Sequence, residues 1–162
     1  MPYPEVAFPA QAYRIGYASG FFDLFHIGHL RYLELAAQHC EKLIVGVPSD
    51  TIVRADQRPK PFTPCDQRMA IIAALRCVTE VVRVEVSMEQ PSAFLPWIKR
   101  LGNPAIFVGE DWRDSARWSR LGPLLAEQGV KVHFLPRTDG VSTTWIKQSL
   151  AKIQPYDPKY HT

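Results

Sequence analysis

Residues 13–38 read YRIGYASGFFDLFHIGHLRYLELAAQ, and the pattern of apolar residues changes period halfway along. YRIGYAS (13–19) has the make-up of a strand. From His29 onward Leu30, Leu33 and Ala37 share one face while Arg31, Glu34 and Gln38 share another, which is the period of an amphipathic helix. A strand that runs into a helix is the first half of a βαβ unit. The next apolar stretch, KLIVGVP (42–48), is continuous rather than alternating, as expected of a strand covered on both faces in a parallel sheet.

The alternation persists along the chain. EVVRVE (80–85), PAIFVG (104–109) and VKVHFLP (130–136) read as three further strands. Between them PCDQRMAIIAALRCV (64–78) reads as a helix with Asp66 as its candidate cap. PSAFLPWIKRLG (91–102) reads as a helix interrupted at Pro96 and ended by Gly102. ARWSRLGPLLAEQG (116–129) reads as a helix kinked at Gly122–Pro123, and STTWIKQSL (142–150) as the last helix. This order predicts one α/β domain over 12–151, a Rossmann-like three-layer sandwich around an open five-stranded parallel sheet. Proline-rich segments at 1–11 and 152–162 are expected to be terminal arms.

Composition narrows the class. The chain has 162 residues, 46% hydrophobic and 22% charged, which suits one globular core. No run approaches the roughly 18 apolar residues of a membrane span. MPYPEVAFPAQAYR, at the start, lacks a basic segment followed by a long apolar one, so no secretory signal is expected. Cys40, Cys65 and Cys77 are widely spaced and suggest reduced thiols in a cytoplasmic protein. The modest net charge of +3 tolerates an anionic ligand, but no lysine–arginine tract argues for nucleic acid.

In open parallel sheets ligands bind beyond the carboxyl ends of the strands. Polar clusters follow the first, second, fourth and fifth predicted strands. Gly20, Phe21, Phe22 and Asp23 lead to His26, Gly28 and His29. Gly28 lets backbone approach a ligand, and His29 falls in a first helical turn, where free N–H groups favour an anion. Two imidazoles there are natural phosphate ligands. A metal site is disfavoured because no third ligand at metal spacing accompanies them. Asp23 either orients a histidine or caps a turn. The absence of GxGxxG and of GxxxxGK[ST] tells against a standard dinucleotide site and a P-loop.

Gly109, Asp111 and Trp112 form the cluster after the fourth strand, with Trp112 either packing or touching ligand. Arg137, Thr138, Gly140, Ser142 and Thr143 follow the fifth. There the guanidinium suits phosphate oxygens, Gly140 permits a tight turn, and Ser142 or Thr143 can cap the last helix. Arg54, Arg58 and Lys60 lie in or near the loop after the second strand. Arg68 and Arg76, eight residues apart on one predicted helix, need either an acidic partner such as Glu80 or a ligand phosphate.

GFFDLFHIGH resembles the HxGH signature of the nucleotidyltransferase superfamily, and RTDGVSTT resembles its second signature, ending in ISTT, with valine in place of isoleucine. With VGEDW between them, the chain looks most like the glycerol-3-phosphate cytidylyltransferase branch, from about Tyr13 to Leu150. The resemblance implies transfer of CMP from CTP to a small phosphate monoester, with Mg²⁺ as cofactor and a homodimer as the assembly. It assigns catalytic roles to His26, His29, Lys60 and Arg137, although RADQRPKPF departs from the lysine-rich loop of that branch. Gly20 to Asp23, Gly28, Gly109, Asp111, Thr138, Gly140, Ser142 and Thr143 would contact the nucleotide, and Arg68 and Arg76 the acceptor phosphate. DQRMAIIAAL also resembles adenylyltransferases acting on heptose phosphates, and the first signature looks like that of archaeal FAD synthases. An ATP-dependent transferase and a non-catalytic nucleotide-binding module are the competing readings.

Overall fold

In the computed structural model, which describes residues 11–152, strands and helices alternate as the periodicity requires. The order is β1 (Tyr13–Ser19), α1 (Ile27–Gln38), β2 (Cys40–Pro48), α2 (Asp50–Ala55), α3 (Cys65–Ala73) and β3 (Glu80–Val84). Then come α4 (Pro91–Arg100), β4 (Ala105–Gly109), a 3₁₀ turn (Glu110–Trp112), α5 (Ala116–Glu127), β5 (Val132–Leu135) and α6 (Thr143–Leu150). Apart from Gln11 and Lys152, the expected arms lie outside the described residues.

The five strands form one parallel sheet in the order β3-β2-β1-β4-β5. Each face carries its own apolar layer. Leu33 and Ala36 of α1 and Ile72 of α3 pack with Leu43, Val45, Phe107 and Leu135 on one face. On the other, Phe94 and Ile98 of α4 and Leu121 and Leu125 of α5 pack with Tyr17, Ile44 and Ile106. Neighbouring residues of β2, Leu43 and Ile44, thus enter opposite layers, which is why that strand reads as an unbroken apolar run. The result is the Rossmann-like three-layer sandwich.

Several local expectations change. α1 begins at Ile27, two residues before His29, because the His26 ring caps it. The predicted helix 64–78 ends at Ala73, so Arg76 falls on the turn beyond it and does not share a helical face with Arg68. Asp66 is not a cap. Pro64 occupies that position without a side-chain bond, and Asp66 pairs with Arg83. α4 continues through Pro96 and α5 through Pro123, each with buried residues on both sides of the proline. Burial of Leu121 and Leu125 offsets the hydrogen bond that Pro123 cannot donate. α2, six residues capped by Ser49, has no counterpart among the sequence expectations.

Candidate active site

β1 and β4 are the strands at which the chain reverses its direction of growth across the sheet, and a cleft of about 480 Å³ opens there. Its wall includes Gly20, Phe21, Phe22 and Asp23 after β1, with His26, Gly28 and His29 beyond them. Gly109 and Asp111 line it after β4, and Arg137, Thr138, Ser142 and Thr143 after β5. The two segments singled out at opposite ends of the sequence therefore meet in one place.

The loop after β1 is held in an unusual conformation. Phe22 and Leu24 have φ of 53° and 48°, left-handed values that cost roughly 1–3 kcal/mol each for such side chains. Three contacts fix it. Arg68 donates from Nη1 to the Phe21 carbonyl (2.9 Å), Thr63 N–H donates to Asp23 Oδ1 (3.0 Å), and Thr143 Oγ1 donates to the Asp23 carbonyl (3.1 Å). Asp23 Oδ2 also pairs with Lys147 of α6 at 2.9 Å. Burial alone would raise the Asp23 carboxyl, but the N–H groups of Thr63 and Phe62 and the Lys147 ammonium hold it below the ordinary range.

His26 and His29 stack with ring centroids 3.8 Å apart. His26 Nδ1 accepts the Gly28 N–H at 3.1 Å, so the neutral ring carries its proton on Nε2. That edge lies 3.5 Å from Thr143 Oγ1, where it is placed to donate to a phosphate at the cleft wall. A methyl group on Gly28 would sit 2.9 Å from His26 Cε1. Glycine here leaves room for the capping ring. Burial, assisted by His26, pushes His29 down to about 4, with Asp23 opposing. Burial and then Arg137 lower His26 as well. Burial thus favours the neutral form of both rings. His29 Nδ1 is enclosed without a hydrogen-bond partner among the described residues.

Ser142 caps α6 by accepting the Trp145 N–H at 3.0 Å, and Gly140 takes φ of +79° in the turn before it. Gly140 shapes the turn but is not on the cleft wall. Arg137 is exposed, 3.8 Å from Asp111 Oδ2. Lys60 is also exposed and does not line the cleft, whereas Arg58, two residues earlier, does. Arg68 is wholly buried. Its donors reach the carbonyls of Thr63, Phe21 and Pro48 and the carboxylate of Asp50 (2.7 Å). The acidic partner of that helix is thus Asp50. Arg76 is exposed, away from the cleft wall.

Lys147 and Arg117 line the cleft and were not singled out from the sequence. Lys147 follows Thr143 by four residues, so one turn of α6 brings it to the same face. Nothing in the local pattern marks Arg117, which depends on Glu89 far along the chain. Among the described residues no group of three histidine, cysteine or acidic side chains is placed to hold a metal ion. No helix among them is long and apolar enough to cross a membrane.

A parallel α/β domain whose HIGH and VSTT segments meet at the switch point has the build of a nucleotidyltransferase-type domain. The chain belongs to the Cytidylyltransferase-like family, which it matches over residues 17–149. It is 32% identical over 134 residues to the glycerol-3-phosphate cytidylyltransferase of Bacillus spizizenii, covering 83% of this chain and 95% of that protein. It is 33% identical over 141 residues to the bifunctional protein HldE of Trichlorobacter lovleyi, again 83% of this chain but only 26% of the relative. The same fold occurs in the lipopolysaccharide core biosynthesis protein of Thermoplasma volcanium, with a TM-score of 0.61 at 21% identity, covering 79% of this chain and 98% of that one.

Proposed function

We propose that this protein is a cytidylyltransferase that moves CMP from CTP to a small phosphate monoester, foremost sn-glycerol 3-phosphate, giving CDP-glycerol and pyrophosphate. The observation that carries this reading is the stacked His26–His29 pair, held against Thr143 of the second signature on one cleft wall. The relative of similar length over nearly its whole chain, a glycerol-3-phosphate cytidylyltransferase, supports the choice of nucleotide and acceptor.

In this reading an oxygen of the acceptor phosphate attacks the α-phosphorus. The new P–O bond forms as the bond to the β-phosphate bridging oxygen breaks, and pyrophosphate leaves with that electron pair. A phosphate monoester is largely ionised at neutral pH, so no strong base is needed. The residues align the reactants and neutralise growing charge. His26 donates through Nε2, His29 stacks on that ring and holds it in place, and Arg137 and the start of α6 take up the triphosphate. Mg²⁺, when bound, would neutralise phosphate charge. Asp111 on the cleft wall would supply one carboxylate, and phosphate oxygens and water the remaining ligands.

The test is a matrix of CTP and ATP against sn-glycerol 3-phosphate, ribitol 5-phosphate and a heptose 1-phosphate, read by pyrophosphate release. Turnover with CTP and glycerol phosphate is expected. Preference for ATP would replace the cytidylyl assignment with an adenylyl one. No release with any pair would leave a nucleotide-binding module.

A further inference from the structure

The cleft has a second sector that the histidine chemistry does not use. Its wall is built from Asp56 and Arg58 after β2, Met88 after β3, and Trp112 and Arg117 after β4. Arg58 and Arg117 are far apart in sequence, yet both guanidiniums converge on the Trp112 ring, 5.5 and 5.1 Å from its centroid. Glu89 faces three arginines, Arg117 at 2.7 Å, Arg120 at 2.8 Å and Arg58 at 4.0 Å. One carboxylate offsets one guanidinium. Asp56, which accepts a hydrogen bond from Ser87 at 2.6 Å, offsets at most one more. The cluster of three guanidiniums and two carboxylates therefore retains one positive charge, and of its arginines Arg58 and Arg117 stand on the cleft wall, next to the 3₁₀ turn that carries Asp111.

The two arginines are held differently. Arg117 donates from Nε to Glu89 at 2.8 Å and is mostly buried. Among the described residues the Arg58 side chain has only the long 4.0 Å approach to Glu89 and the contact with the indole, and a third of it is exposed. An arriving anion can draw Arg58 away at little cost while Arg117 stays in place. A guanidinium fork matches phosphate oxygens in geometry and charge.

We propose that this sector is the acceptor subsite, in which Arg58 and Arg117 hold the acceptor's phosphate, and that it selects uncharged polyol or sugar phosphates over amine-bearing ones. The inference rests on the transferase reading above. Two guanidiniums already lie beside the indole that an ammonium head would use, and a further cation there meets like charge. Hydroxyl groups instead find the Asp56 carboxylate as acceptor and Met88 as an apolar wall.

The experiment is steady-state kinetics at saturating CTP with the best acceptor of the matrix, for the wild type, R58A, R58K and R117A, with phosphocholine as a further acceptor. Removal of a charged hydrogen bond to the acceptor should raise its KM about 10- to 100-fold in R58A and R117A. KM for CTP should stay within about twofold, and R58K should recover part of the loss. Phosphocholine should have a kcat/KM at least about 100-fold below the best acceptor. Melting curves check that each variant is folded. An active wild type whose R58A and R117A forms keep the acceptor KM overturns the subsite and leaves the transferase reading intact. Efficient use of phosphocholine overturns the selectivity. A wild type that transfers to no acceptor removes the transferase reading, and the subsite with it.

Discussion

The two sectors of the cleft are built on opposite plans. Around His26 and His29 the loop is pinned by Gly28, Thr63 and Thr143, the backbone is strained, and the rings are half-buried, with burial favouring their neutral form. Around Trp112 the side chains are longer, more exposed, and balance one another's charge incompletely. The first arrangement is suited to a group whose position changes little during reaction, since reorganisation at the moment of transfer would slow it. The second suits a partner that varies in shape, because an arginine can move while its charge is retained. In the proposed reaction, chemistry and acceptor choice would thereby rest on different kinds of structure.

The sharpest way to break the rigid sector is to remove its rings. H26A should lower kcat by about 10²–10³, with CTP still bound, as measured in single-turnover assays under saturating nucleotide. Near-native turnover in H26A and H29A would end the central role given to the pair. Next is the anchor beneath the strained loop. R68M leaves Asp50 and three carbonyls without their donor and should cost about 3 kcal/mol by urea denaturation, the low end for a broken buried pair because Asp50 is partly exposed.

The pH dependence of stability gives a comparable effect. His29 titrates near 4 when folded but near 6.5 when unfolded, so the unfolded chain binds the extra proton between those values. Stability should therefore rise with pH from about 4 to 6.5, by up to about 3 kcal/mol, and H29Q should flatten that slope in melting curves taken across the range. The smallest effect is expected in the loop that borders the adaptable sector. Lys60 is exposed and off the cleft wall, so K60A should change kcat/KM by no more than about twofold. A large loss there would mean that the loop closes over the phosphates during turnover.

The fold was legible because both periodicities are strong. The continuous apolar run of β2 and the amphipathic face of α1 are direct results of a sheet covered on two sides. Boundaries were less legible where a side chain caps in an uncommon way, as His26 does, or where a helix stops without glycine, as α3 does at Ala73. In the site, residues belonging to the two compact signatures converge on the cleft, because short loops keep them near their strand ends. Arg68 was ambiguous for a physical reason: an arginine on an apolar helix satisfies the sequence equally well as a ligand or as a buried clasp, and only the positions of Phe21, Pro48 and Asp50 distinguish them. Arg58, Trp112 and Arg117 meet only in three dimensions.

The register of the sheet has one more consequence. β1 is paired with β2 from Tyr13–Cys40 to Ser19–Gly46, but with β4 only from Gly16–Ala105 to Ala18–Phe107. The shortest seam in the half of the sheet around β1 is therefore the one beneath the cleft. It joins an amino-terminal unit that carries both histidines to a carboxy-terminal unit that carries Arg137 and Lys147. Both apolar layers cross that seam, with Leu33 and Leu43 packed against Phe107 and Leu135 on one face and Tyr17 and Ile44 against Ile106 on the other. A nucleotide gripped from both banks would act as a rung across that seam, so that holding the substrate and holding the two halves of the domain together become one event.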